Sequence, residues 1–141
     1  MSFTSYSVEK LSDPPIILSI LFENYSVSRD MAASDEASRA ILDASDELLF
    51  TVTDITHVKF TFEDILFAAT QGARGSKPLW HHPKIREMIL ISPSTMIKYA
   101  AKGMNSPVFG NLAIRVFDTV DEALAYCRAQ LSQKEISKLS L

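Results

Sequence analysis

"VTDITHVKFTFEDILFAA", residues 52 to 69, decides how the chain is read. Its first residues complete "ELLFTVTDI" (47 to 55), a run rich in β-branched and apolar residues that reads as a strand. Its last residues begin with Thr61 and carry Asp64 three positions on, a variant of the capping box, with Phe62, Ile65, Leu66 and Ala69 at helical spacing as the buried face. Gly72 is expected to end that helix. Strand, short loop and capped helix in succession form the opening half of a strand-helix-strand unit.

The segments on either side extend the pattern. Upstream, "TSYSVEKL" (4 to 11) alternates polar and apolar residues, with Tyr6 and Val8 on one face, as a half-exposed edge strand does. "DPP" (13 to 15) turns the chain into "IILSILFE" (16 to 23), apolar on both faces and antiparallel to the first strand. From Ser28 to Ala44, the residues Met31, Ala37, Ile41 and Ala44 recur near helical spacing, with Ser28 or Asp30 as the cap.

Downstream, "REMILIS" (86 to 92) is the most continuously buried strand. Ser92 as N-cap, Pro93 at the first helical position and Gly103 past the end bound the next helix. "NLAIRVF" (111 to 117) is the last strand. The final helix opens with Thr119 and Glu122 as a capping box and lines Val120, Leu124, Cys127 and Leu131 along one stripe. The expected fold is therefore α/β, in the order β-β-α-β-α-β-α-β-α: a five-stranded mixed sheet with an antiparallel edge strand and four helices, one domain over residues 1–141.

Composition narrows the class of protein. The 141 residues are 47 % hydrophobic and 22 % charged, the balance of an ordinary soluble protein. No apolar run is long enough to span a bilayer, and "MSFTSYSVEKLSD" carries no basic segment followed by an apolar one, so cytoplasmic localisation is expected. The single cysteine, Cys127, cannot close an internal disulfide and reads as a small buried hydrophobe. A sequence pI near 5.6 argues against a nucleic-acid partner. The net charge of −3 divides unevenly, with twelve acids and four bases in residues 1–70 against five acids and ten bases in 71–141. This makes the molecule dipolar if the fold keeps the halves apart and vanishes if it interleaves them, the outcome expected here.

The most chemically suggestive stretch is "GARGSKPLWHHPKIRE", residues 72 to 87. Its glycine and lysine spacing does not match a nucleotide-phosphate loop, and it leaves a helix to enter a strand, the reverse of what phosphate binding at a helix N-terminus requires. His81 and His82 are adjacent and so point apart in extended chain, with His57 unconnected by spacing, so no metal site is expected. The stretch reads as a long loop anchored by Trp80, with Arg74, Lys77, His81, His82, Lys84 and Arg86 available to an anion or partner. Ser92, Ser94 and Thr95 cluster at a helix start, where capping explains them, and Tyr25 and Tyr99 read as structural. Asp54 closes a strand at its C-terminal end, where open α/β sheets place their binding crevices, although a turn-forming role is the commoner one.

Several of these residues carry a resemblance. The strand ending Asp54-Ile55-Thr56 and leading by a short loop into a capped helix resembles the STAS, or anti-sigma-factor-antagonist, fold. The whole layout is similar to the small bacterial proteins grouped as SpoIIAA-like, with His82-Pro83 before the strand at 86 to 92 and the "DT-x-DEAL" pattern at 118 to 124. The resemblance implies a signalling module that switches by partner binding when a helix-start serine is phosphorylated. Here the family's Asp-Ser-Ser-Gly is replaced by Phe62, Glu63, Asp64 and Ile65, and the nearest hydroxyl, Thr61, is a helix cap. Two carboxylates at a helix N-terminus are favourable in themselves and repel an added phosphate.

The expectation is therefore a non-enzymatic STAS-like binding or regulatory module without the phosphorylatable serine and without cofactor or metal. It would engage a protein partner or small ligand through Asp54, Thr56, Thr61, Glu63, Asp64, Ser94 and Thr95, with a homodimer burying Phe109. The rival is a small-ligand or lipid-binding protein, conceivably an enzyme, with a pocket between helices. An enclosed apolar pocket with convergent polar groups favours the rival.

Overall fold

The computed structural model describes residues 4–75 and 78–139, with backbone alone for 134–139. The strands are β1 (Tyr6–Ser12), β2 (Pro15–Leu21), β3 (Leu49–Asp54), β4 (Ile85–Ile91) and β5 (Ile114–Phe117). The helices are α1 (Val27–Ala44), α2 (Phe62–Arg74), α3 (Thr95–Gly103) and α4 (Val120–Leu139), with short 3-10 turns at Leu79–His81 and Pro107–Phe109. The element order is the one expected from the sequence.

The strands lie in the sheet in the order in which they occur in the chain. β1 is antiparallel to β2, and β2 to β5 run parallel. Right-handed crossovers between neighbours taken in unbroken order place every connecting helix on the same face. α1, α2 and α3 accordingly pack on one face, and α4 packs on the other. The same order leaves β1 to β3, with the acidic half of the chain, at one edge and β4 and β5 at the other, so the sheet does not interleave the two halves as expected.

Period-two alternation sorts the strand side chains between the faces. Ile16, Phe50, Val52, Ile89 and Ile91 meet Ala123 and Cys127 of α4, all at 0–1 % exposure. Val120, Leu124 and Leu131 pack around that cluster, as their spacing predicts. The Tyr126 hydroxyl donates to Glu87 of β4 at 2.7 Å and ties α4 to the sheet. Burial pushes the Cys127 thiol up to about 11, which keeps it uncharged.

Four local expectations are corrected. The helix around Gly72 continues to Arg74, because Gly72 serves close packing: a Cβ there collides with the Trp80 indole. Phe62 and Leu66 point outward at 69 % and 50 % exposure, and the buried stripe of α2 is Ala69, Gly72 and Ala73. α3 starts at Thr95 under Ser94, since the Ser92 N–H still bonds to the Phe117 carbonyl at 2.9 Å and keeps Ser92 in the sheet; Gly103 lies inside the helix. β5 begins only at Ile114. Gly110 and Asn111 hold φ of +76° and +56°, and Leu112 donates back to Met104 at 3.0 Å, so this stretch closes a turn before pairing begins.

Candidate functional site

On the three-helix face the core is incomplete. A cavity of about 170 Å³ lies between the sheet and α1, α2 and α3. Its floor follows from strand register: Ser19 pairs with Thr53, and Thr53 with Leu90, while Thr51 pairs with Met88 in the adjacent row. Hydroxyls on β2 and β3 thus stand beside thioether and isobutyl groups on β4. The helices supply small side chains where larger ones would fill the space: Ala68 and Ala69 from α2, Ala100 and Ala101 from α3, Ser34 and Ser38 from α1. Phe60, Ile65, Ile97 and Trp80 make most of the remaining wall apolar.

The α1 wall differs from the rest. The buried stripe of α1 is Val27, Met31, Ser34, Ser38 and Leu42: Met31 is buried as expected, while Ala37, Ile41 and Ala44 are not part of it. Helical spacing is kept, with two serines at positions that a filled core would give to larger apolar residues. Asp35, beside them, also lines the cavity. Tyr25, just before the helix, is buried and its hydroxyl lies 2.9 Å from Ser34 Oγ. Ser34 in turn donates to the Met31 carbonyl at 3.1 Å. Burial pushes the Asp35 carboxyl up to about 6, partly offset by the guanidinium of Arg39, and pushes the Tyr25 phenol up to about 12. The polar groups of the cavity are therefore gathered along α1 and on the β2–β3 floor.

A second apolar cleft opens on the surface between α2 and α3, lined by Phe62, Thr95, Met96 and Tyr99. Ile65 and Ala100 belong to both the cleft and the inner cavity. Tyr99, expected to be structural, is 77 % exposed there.

No protein-family model matches the chain, and no curated protein matches it in sequence. Among solved structures, it is similar to an uncharacterised protein of the DUF3478 family with a SpoIIAA-like fold from Shewanella loihica PV-4. The superposition covers 90 % of this chain and 98 % of that one, with a TM-score of 0.53 and 13 % identity. The fold is SpoIIAA-like.

Most of the residues expected to form a binding surface make local hydrogen bonds. Asp54 is buried on the α4 face of the sheet, away from the cavity, and its Oδ1 accepts from the Thr56 N–H at 3.0 Å and hydroxyl at 2.6 Å. Thr61 and Asp64 exchange the two hydrogen bonds of the capping box, at 3.1 Å and 3.0 Å. Ser94 accepts from the Ile97 N–H at 3.4 Å as the cap of α3. Glu63 is exposed on the first turn of α2, and Thr95 on the first turn of α3.

The two histidines turn to different partners. His81 Nε2–H donates to the Phe109 carbonyl at 3.0 Å. His82 Nδ1 accepts from the Lys84 N–H at 3.1 Å, which leaves Nε2–H to donate to Asp43 of α1 at 2.7 Å. Arg74 is exposed, Arg86 places its guanidinium 5.2 Å from the Phe50 ring centre, and Lys77 lies outside the described residues. Among the described residues, no group of three His, Cys, Asp or Glu is placed to hold a metal ion. Phe109, expected at a dimer contact, is partly buried against Ala69, Ala73 and Met104.

Sequence reading missed Tyr25, Ser34, Asp35 and Ser38. The available signal was Val27, Met31 and Leu42 at helical spacing with serines at the two positions between them.

Proposed function

We propose that the protein binds a small, largely apolar molecule in the cavity between the sheet and α1, α2 and α3. The observation that carries this reading is the cavity itself: about 170 Å³, mostly apolar, with polar side chains gathered on one wall and the floor. An apolar cavity of about 150 Å³ is enough to take up benzene, so a ring or short chain is the expected scale of ligand. The switch position, with its hydroxyl committed to capping α2, supports binding without a phosphorylation step.

Trp80 makes the test direct, since it is the one tryptophan in the chain and it lines the cavity. Titration with 2-phenylethanol is expected to give a saturable change in Trp80 emission and a rise in Tm, because a ligand that binds only the folded state stabilises it. Ala101→Leu, which places an isopropyl group into the cavity, is expected to remove both responses. A flat emission titration together with an unchanged Tm overturns the reading.

A second reading is favoured by the exposed Phe62, Leu66, Met96 and Tyr99 at the start of α2 and along α3: a regulatory module that associates through this surface, with a second copy of the chain as the occupant to test first. Sedimentation equilibrium separates the two. A concentration-dependent dimer abolished by Phe62→Ser with Tyr99→Ser, with the Trp80 titration intact, supports it; a monomer at every concentration overturns it.

A further inference from the structure

We propose that the α1 wall, where Tyr25, Ser34, Asp35 and Ser38 converge, is a head-group site that selects a small organic ammonium ion on an apolar body and rejects carboxylates. The inference rests on the cavity reading above and assigns the chemistry of what enters it.

Hydrogen-bond bookkeeping gives the direction. Ser34 has one hydroxyl proton, and it is spent on the Met31 carbonyl. The contact between Tyr25 and Ser34 must then be donated by Tyr25, which leaves both hydroxyls with lone pairs only. Asp35, when ionised, is acceptor-only, and its oxygens accept no hydrogen bond from a described residue. The nearest cation, Arg39 one turn further on, pairs with Glu36 at 3.2 Å. On the α1 wall Ser38 keeps a hydroxyl proton without a partner among the described residues. The wall thus offers more acceptors than donors around one carboxylate, and a ligand that brings donors matches it.

Charge points the same way. No Lys, Arg or His side chain is among the described residues that line the cavity. From β2, β3, β4, β5, α2, α3 and the Trp80 segment the lining among the described residues is uncharged, so the charges that act on Asp35 come from α1 itself, Arg39 and Glu36. A ligand carboxylate placed here meets a like charge in a mostly apolar setting, and Arg39, which only partly offsets the burial of Asp35, does not line the cavity. An ammonium group meets an opposite charge whose burial strengthens the attraction, and its three N–H groups match Asp35, Tyr25 and Ser34.

The burial that raises the Asp35 carboxyl to about 6 also sets the conditions of the test. At about pH 8 Asp35 is ionised and an alkylammonium, with a pKa near that of lysine, remains charged. The probes are 2-phenylethylamine, 2-phenylethanol and 3-phenylpropionate, titrated against Trp80 emission in the full chain. At about pH 8 the ammonium is expected to bind about ten times more tightly than the alcohol, and the carboxylate about ten times more weakly. Asp35→Asn, which removes a half-buried charge and does not threaten the fold, is expected to erase the preference for the ammonium over the alcohol. Lowering the unmodified protein to about pH 5 is expected to do the same. Equal affinities for ammonium and carboxylate, or a preference that survives in Asp35→Asn, overturn the head-group assignment while saturable binding of the alcohol keeps the cavity reading. Failure of all three probes to saturate removes the cavity reading and this inference with it.

Discussion

The two faces of the sheet are built from the same strands and solve opposite problems. On the α4 face, one helix covers a row of Ile16, Phe50, Val52, Ile89 and Ile91 and leaves them at 0–1 % exposure. On the other face, three helices cover Ser19, Thr51 and Thr53 and leave a cavity of about 170 Å³. More helix gives less filling, because the helices turn alanine and serine toward the sheet. A close-packed interior gains dispersion contacts that a void forfeits, so the three-helix face gives up stability that the α4 face supplies. The division separates holding the fold together from holding a ligand.

That division is broken most severely by truncation on the packed side. Phe50→Ala is expected to cost about 3–5 kcal/mol, read as a lower urea midpoint, since the fully buried ring leaves a hole that the surrounding isoleucines cannot close. A loss well under about 1 kcal/mol would mean that the α4 face is loosely packed and that the contrast is unfounded. Enlarging an alanine on each face sharpens the same point through its sign. Ala123→Leu, against α4's close contacts, is expected to destabilise by about 1–3 kcal/mol, while Ala101→Leu fills space that is already there and raises Tm. Equal losses at both positions would show that the cavity closes when the protein is in solution.

Asp35 gives the comparison a pH dependence. Its folded-state pKa of about 6 lies above the ordinary carboxyl value of 3.8, so the folded protein holds the proton more tightly than the unfolded chain. The stability linked to Asp35 is fully present below the unfolded value and is lost as pH rises through about 6. Asp35→Asn is therefore expected to be more stable than the parent at about pH 8, by roughly 2 kcal/mol once the solvent still reaching the carboxylate is allowed for, and to lose that advantage at about pH 3. Parallel pH profiles for the two proteins would place Asp35 in water instead of in the cavity wall.

The α4 face was legible in the sequence and the cavity was not, for the same physical reason. Val120, Leu124, Cys127 and Leu131 announce a helix stripe because burial there demands apolar side chains at fixed spacing. Thr61 with Asp64 announces a helix start because a capping box is a local pattern, closed within four residues. A cavity has no such signature. It is the sum of small residues on α1, α2 and α3 that only the fold brings together, and an apolar rule applied to α1 selects Ala37, Ile41 and Ala44 while passing over Ser34 and Ser38. The outward turn of Phe62 and Leu66 was hidden likewise, because Gly72 packing on Trp80 sets the roll of α2, and that contact joins a helix to the loop beyond it.

The smallest effect distinguishes two serines one helical turn apart on the same wall. Ser34 and Ser38 share a helix, a face and a degree of burial, and they differ in their partners. Ser34→Ala leaves the buried Tyr25 hydroxyl without its acceptor, which is expected to cost about 1–2 kcal/mol, since an orphaned donor loses its desolvation free energy with nothing in return. Ser38→Ala removes a hydroxyl with no partner among the described residues and gains helix propensity, so its effect on stability is expected within about 0.5 kcal/mol of zero. Urea unfolding of the two variants reads the difference directly. If Ser38→Ala is the costlier of the two, the acceptor cluster is centred one turn further along α1, and the ligand's donors are to be sought there.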